Sequence, residues 1–417
     1  MIDDDSTAVF LADYRERAAA VNTLKTADEK REARRALTTH RRRKVEAVAG
    51  KCLSAALGEE GVGTEGLVWF WFNHFNVFWR KEFVGAALPS YLDDAIRPHA
   101  NGRFRDLLLA ALTHPAMLVY LDNHRNVAGK LNENLARELL ELHTLGVDGG
   151  YSQQDVHAVA RILTGCGLRP LRPVRWPPKL QGHVVSRGEF LFDPRRHDFR
   201  AKRVLGRRIE AQGYAEVEAL VDLLAGHPRT ARHIAGKLSS FLLGDEAPSH
   251  VVDDAARVFS ATGGDLVQVV AAIRGGGDAL PPDRPDTFKD PYRWLLSSLR
   301  LLAAGHRIKD RRSPQRWLTA LGQPLFGCQT PDGYSLQGSD WVSSGQLAQR
   351  FELASEMVGS LPRLSGGAVA LEDVLRSPGV TELESRLGGA SLRALSEAEA
   401  RETRLALLIS SPEFMFW

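Results

Sequence analysis

Three stretches of this chain combine residue types that could do chemistry. The first is Phe70-Trp71-Phe72-Asn73-His74-Phe75-Asn76-Val77-Phe78-Trp79, where polar groups interrupt an aromatic run. A helix this apolar is buried on most sides. A buried amide or imidazole left unpaired costs roughly 1–3 kcal/mol. Asn73 and His74 therefore need partners from the protein, a ligand or a metal. Satisfied core hydrogen bonds are the plainer alternative. The second stretch runs from Asn132 to His143. At about 100° per residue, Asn134, Glu138 and Glu141 fall on one narrow stripe, with Arg137 beside it and His143 on the apolar side. Glu138, Glu141 and His143 thus cannot share one ion on this helix. Two carboxylates at i and i+3 can bind a divalent metal with ligands from other helices. They also fit a solvated stripe with an Arg137–Glu141 ion pair, the reading that spacing alone favours. The third is His197-Asp198, in a segment without helical period, suited to proton transfer or metal ligation but weak as a motif.

Further polar residues, Arg97, His99, Arg103, Arg105, Asp106, His114, Asp122 and Asn123, punctuate helix ends as caps, salt bridges or the walls of a cleft. The turn Thr330-Pro331-Asp332-Gly333-Tyr334, followed by Trp341, presents aromatics that could stack on a sugar ring or simply cover a core. The chain contains no Walker loop, H-E-x-x-H or G-x-S-x-G.

The elements that must position these residues are helical. Residues 1–60 favour helix, with one or two amphipathic helices over Ala27–Leu57 and a break at Gly58–Gly63. Thr64 caps a helix carrying Trp69 to Trp79, Phe104–Leu112 is a buried helix, and another runs from about Glu133 to Leu145. Ser152 and Asp155 make a capping box. From Gly165 to about Gly213 the period disappears, predicting a long irregular excursion with a short hairpin, His183–Val185 against Glu189–Phe192. Helices resume from Tyr214, Gly275 to Asp286 reads as a loop, and Ser343–Leu361 and Leu392–Ile409 close the chain. The fold class is all-α, a multi-helix bundle: an N-terminal segment 1–60, a core 61–310, and a C-terminal segment 311–417 packed on it.

Composition narrows the function. The 54 basic and 51 acidic residues nearly balance, which gives nucleic-acid binding no support. Cys52, Cys166 and Cys328 form no C-x-x-C pair and read as ordinary buried thiols. The longest apolar run, Leu67–Phe78, is too short and too interrupted for a membrane span. The N-terminus lacks a signal-peptide pattern; taken literally the chain is cytoplasmic, unless an export segment was removed.

Several of these motifs together resemble the domain-of-unknown-function 1800 family. They are Phe70-Trp71-x-Asn73-His74-Phe75, then Ile96-Arg97-Pro98-His99-Ala100 with Gly102-Arg103-Phe104-Arg105-Asp106, and His114-Pro115 before Leu121-Asp122-Asn123. The most specific is Asn132-Glu133-Asn134-x-Ala136-Arg137-Glu138-Leu139-Leu140-Glu141-Leu142-His143-Thr144-Leu145-Gly146. Tyr151, Asp155-Val156, Ala160-Arg161, Thr164-Gly165, His197-Asp198, Arg232, Lys237 and the segment from Gly322-Gln323-Pro324 to Trp341 extend the likeness over about residues 60–360. Cys166 stands where the family usually has an aromatic. The resemblance implies helical bacterial proteins, often exported to the periplasm or beyond. It further implies neighbouring genes for a sulfatase-like exported partner and, through twin-arginine export, a mild leaning toward a bound metal or cofactor. The family name asserts no activity. Glu138 and Glu141 fall in the most recognisable motif, which moves the reading from solvated stripe to site.

The expectation is an exported enzyme with a polar cleft between helices. Glu138, Glu141, His74, His197 and Asp198 are its candidate catalytic residues, and Asn73, Asn134, Arg137, Arg103 and Trp341 its substrate-binding groups. Either Glu138, Glu141 and His74 bind a divalent metal, or the carboxylates act alone, as in hydrolysis of a glycan or envelope polymer. The rival is a non-enzymatic envelope scaffold in which the same polar motifs lock helices together.

Overall fold

The computed structural model describes residues 7–58, 61–278 and 287–417. It is an all-α fold with two small antiparallel sheets. The N-terminal part is α1 (Thr7–Val21) and one long helix, α2 (Ala27–Leu57). Thr26 and Glu29 close a reciprocal capping box at its start. Glu59 and Glu60 of the expected break lie outside the described residues. The aromatic helix α3 (Gly61–His74) starts before Thr64 and stops at His74, five residues short of Trp79. It stops because Asn73, His74 and Asn76 bond to other segments, as set out below, rather than continuing the helical ladder.

Next come α4 (Val84–Ser90), a wide π-type turn (Tyr91–Ile96), α5 (Phe104–Thr113), α6 (Pro115–Tyr120), α7 (Asn134–Glu141) and α8 (Gln153–Ile162). The helix α7 is shorter than its sequence pattern. After Glu141 the main chain widens, with His143 N donating to Glu138 O and Leu145 N to Leu140 O. Gly146, at φ +86°, then turns the chain. At α8 the Ser152–Asp155 capping box is present.

The excursion holds more order than its sequence shows. Strands β1 (Cys166–Leu168), β2 (Val185–Arg187) and β3 (Phe190–Phe192) form one sheet in the order β1-β3-β2, with a short helix α9 (Pro178–Gln181) between β1 and β2. The hairpin sits close to the expected one, with Val185 opposite Phe192 and Gly188 in its turn. A second hairpin, β4 (Lys202–Val204) with β5 (Arg207–Ile209), follows.

Helices α10 (Tyr214–Ala225), α11 (Pro228–Leu243), α12 (Ser249–Thr262) and α13 (Leu266–Asp278) make the second half of the core. Residues 275–278, expected in a loop, extend α13; 279–286 lie outside the described residues. After α14 (Pro291–Ala303), α15 (Ser313–Ala320) and α16 (Ser344–Gly359), the final expected helix is divided into Gly389–Glu397 and Arg401–Ser410. One continuous apolar cluster runs from Phe10 to Met415, with Trp71, Trp294 and Trp317 fully buried. No helix of the described residues is long and apolar enough to cross a membrane. All three cysteines are free thiols, and burial pushes Cys52 and Cys166 up to about 12.

Buried charge pins the excursion to α10. The Lys202 ammonium reaches Glu216, the Asp198 carbonyl and His197 Nε2, the last at 3.3 Å. His197 Nδ1 donates to Thr164 O at 2.8 Å, and its Nε2 lies 3.2 Å from Glu216. Asp198 is held in forks by Arg161 and Arg200. Removing one partner of a buried pair strands the other. Glu216→Ala should therefore cost about 3 kcal/mol in urea unfolding, since it leaves Lys202 uncompensated. A cost below about 1 kcal/mol would show that the network does not hold the excursion in place.

Candidate functional site

The end of α3 serves as an anchor for a loop. Asn73 exchanges two hydrogen bonds with the main chain of Tyr334, Nδ2 donating to its carbonyl and Oδ1 accepting from its N–H, both at 2.8 Å. Asn76 Nδ2 donates to Cys328 O at 3.1 Å and Thr330 O at 2.7 Å. The Tyr120 hydroxyl donates to Gln329 O at 2.7 Å, and the Tyr334 hydroxyl to Pro324 O at 2.7 Å. Gly333 has φ +78°, and a Cβ there would lie 2.2 Å from Asn73 O. Only glycine allows this approach. These bonds fix the position of Asp332, one residue before Gly333.

His74 sits on the other side of the same helix end. Its Nε2 is 3.2 Å from His143 O, and His143 Nδ1 is 3.1 Å from His74 O. Both acceptors are carbonyls, so both ring nitrogens must carry the proton. A third imidazole follows the same rule, with His233 Nε2 donating to Leu142 O at 3.1 Å. The remaining nitrogens, His74 Nδ1 and His143 Nε2, are buried without a partner among the described residues. Burial and then the Lys237 charge depress both groups, His74 well below its ordinary value and His143 to about 3. The imidazoles are neutral at pH 7.

Lys237 follows His233 by one turn of α11. It keeps a small exposed fraction, yet burial pulls its pKa down to about 8, opposed by the charge of Asp332. It makes no hydrogen bond among the described residues. Glu138 faces the same space. This half-buried carboxyl has no ion pair or hydrogen bond among the described residues, and its pKa is raised by burial, then by Glu141, with Asp332 adding to it. Burial also raises the Tyr120 phenol, with Cys328, Glu138 and Asp332 contributing. Asp332, in the anchored loop, is thus an electrostatic neighbour both of Glu138 on α7 and of Lys237 on α11.

The other expected site residues are distributed more widely. Glu141 accepts from the Tyr151 hydroxyl at 3.2 Å. It does not pair with Arg137, which binds Glu133 at 3.2 Å and Gln153 at 3.1 Å. Asn134 is exposed at the start of α7, where its N–H donates to Asn132 Oδ1. Arg103 ties α5 to the turn after α12 through Thr262 O at 3.0 Å. Trp341 donates to Ser335 O at 3.2 Å and its ring lies 6.2 Å from Tyr334, so it braces the anchored loop. His197 and Asp198 belong to the excursion network described above. Among the described residues no group of three His, Cys, Asp or Glu side chains is placed to share a metal ion, so Glu138, Glu141 and His74 do not form a ligand set. The residues that spacing did not single out are Asp332 and Lys237. Lys237 was legible as a cation adjacent to Ile234 and Leu238, both buried.

The family described as protein of unknown function (DUF1800) matches residues 2–416. The chain belongs to that family. No curated protein and no solved structure matches it. In this DUF1800 chain the motif residues Asn73, His74 and His143 hold the site together, whereas Glu138 faces it without a partner.

Two outcomes follow. Asn73→Ala removes both bonds to Tyr334 and should lower stability by about 1–3 kcal/mol while exposing residues 323–342 to limited proteolysis; an unchanged cleavage pattern would refute the anchoring role. The second concerns pH. The folded pKa of Lys237 lies near 8 and its ordinary value near 10.5, so between these the unfolded chain binds more protons and stability rises with pH. Lys289 behaves alike, and above about pH 9 the buried cysteines oppose the rise, so Lys237→Met should roughly halve it in urea unfolding between pH 8 and 9. An unaltered slope would place Lys237 in water.

Proposed function

We propose that this chain is a hydrolase acting on an envelope or extracellular polymer, with Glu138 as its acid/base group. The supporting observation is a half-buried carboxyl with no partner among the described residues and a raised pKa, beside Glu141 and near Asp332, which in turn acts on a largely buried amine, Lys237, with a lowered pKa. Perturbed groups of opposite tendency in one cleft characterise acid–base sites. Glycan hydrolysis needs two carboxyl groups flanking one bond. In this reading Glu138 protonates the leaving oxygen, Asp332 takes a proton from the water that bonds to the anomeric carbon from the opposite side, and Lys237 is the counter-charge of Asp332. The neutral histidines add no second cation beside Lys237. Export, and a sulfatase-like partner processing the same polymer, rest on the family resemblance.

A divalent metal is a separate route to hydrolysis, and no step is assigned to it here because Glu138, Glu141 and His74 are not gathered into one ligand set. The scaffold reading draws on the locking bonds of Asn73 and His74, which explain those residues but leave Glu138 and Lys237 without a role.

The test is release of reducing ends from peptidoglycan and extracellular polysaccharides. Glu138→Gln should lower the rate by about 10²–10⁴ with an unchanged melting temperature. Glu141→Gln removes a repulsion that raises Glu138, so the alkaline limb of the rate profile should move to lower pH. Full activity in Glu138→Gln would refute the assignment. A near-stoichiometric metal, found by mass spectrometry and lost in the Glu138→Gln, Glu141→Gln double variant, would move the chemistry to the ion.

A further inference from the structure

A cavity of about 300 Å³ opens near the start of α3, among α3, α11, α13 and α14. It is within the size range of small-molecule sites. Its walls carry four cations, Arg274, Lys289, Arg293 and Arg300, and one acid, Asp290. The rest is largely apolar and aromatic, including Leu67, Trp69, Phe241, Tyr292 and Trp417. Trp69 and Tyr292 stack at 4.6 Å, and the Arg293 guanidinium lies 4.1 Å over Trp417 and 4.6 Å over Phe241.

Three of the four cations are held by neutral carbonyls. Lys289 donates to Phe414 O at 2.6 Å, Arg300 to Ala56 O at 2.7 Å, and Arg293 to Phe241 O. Asp290 caps α14 through the Arg293 N–H and lies 3.7 Å from its guanidinium. Nearby carboxylates are already engaged: Asp245 accepts from Gly338 N and Ser339 N, and Glu65 pairs with Arg97. Behind the wall lies Arg350, fully buried against Phe288 and Trp294. It donates to Lys289 O at 2.6 Å, and its Nε and Nη1 have no partner among the described residues. Buried charges are ordinarily paired with opposite ones. Here one carboxylate faces the half-buried Lys289 and Arg293 and the exposed Arg274 and Arg300 over an apolar floor.

We infer that this cavity binds an anionic amphiphile, its carboxylate or phosphate head among Arg274, Lys289, Arg293 and Arg300 and its apolar tail along Trp69, Phe241 and Tyr292. Gly66 lines the cavity, and a Cβ there would meet nothing within 4 Å, so a large side chain can fill the space from within α3. Arg274 is exposed, so its charge can be reversed without disturbing the core.

Calorimetric titration of the full chain with dodecanoate, dodecyl phosphate and dodecanol, each below its micelle concentration, tests this. At least one anion should bind, with dodecanol weaker by about tenfold or more. Tighter binding of dodecanoate identifies a fatty-acid head; tighter binding of dodecyl phosphate identifies a phospholipid-type head. Gly66→Trp and Arg274→Glu should each weaken anion binding by about tenfold or more at unchanged melting temperature. The inference is overturned if neither anion binds, if dodecanol binds equally well, or if both folded variants bind like the parent.

Discussion

Two imidazoles that each donate to the other's main-chain carbonyl join the end of α3 to the chain just past α7. Much of the candidate site depends on this exchange. It ends one helix, widens the end of the other, and requires both rings to be singly protonated. Because the rings are buried and stand near Lys237, the neutral form is the one the fold can accommodate. A protonated ring at either position would add a second enclosed cation with no carboxylate bonded to it, a cost of several kcal/mol by ordinary desolvation.

The anchor on the opposite side of α3 works by shape rather than charge. A side-chain amide has one donor and one acceptor in the same relation as a peptide group, so Asn73 can pair with the main chain of Tyr334 as a strand would. This holds an irregular segment against a helix without any sheet. The close approach leaves no room for a side chain at Gly333. The polar residues inside the aromatic run are thus part of the fold's support, whereas Glu138, on α7, has no hydrogen bond or ion pair among the described residues.

These relations explain what the sequence could reveal. The all-α class, the Ser152–Asp155 capping box and the need of Asn73 and His74 for partners follow from local pattern and the cost of unpaired polar groups. The stripe of Asn134, Glu138 and Glu141 was legible because helical projection holds as far as Glu141. Past Glu141 the ladder widens, a change that periodicity does not record, yet His143 is still buried among aromatic rings, as its place on the apolar side requires. The excursion looked irregular because three-residue strands are too short to show alternation. Asp332 and Lys237 were visible only as members of longer motifs: they lie in different segments, and the Asn73 anchor and the packing beside His74, which spacing does not record, bring Asp332 near both Glu138 and Lys237.

Helix α11 also shows how one element can serve two environments. His233, Lys237 and Phe241 succeed one another at intervals of one turn. Phe70 packs on Phe241 with ring centres 5.1 Å apart and stacks over His74 at 6.3 Å. An aromatic layer therefore stands between the neutral imidazoles at one end of α3 and the cationic cavity toward the other, with Gly66 on the cavity wall about 12 Å along the helix from His74. Separating the two in this way matters because like charges interact strongly across a medium of low polarity. If Lys237 and Arg293 shared one cavity, each would depress the other, and neither could stay charged there without additional carboxylates. The aromatic run of α3, which first reads as a buried helix and nothing more, is what allows one small fold to contain both.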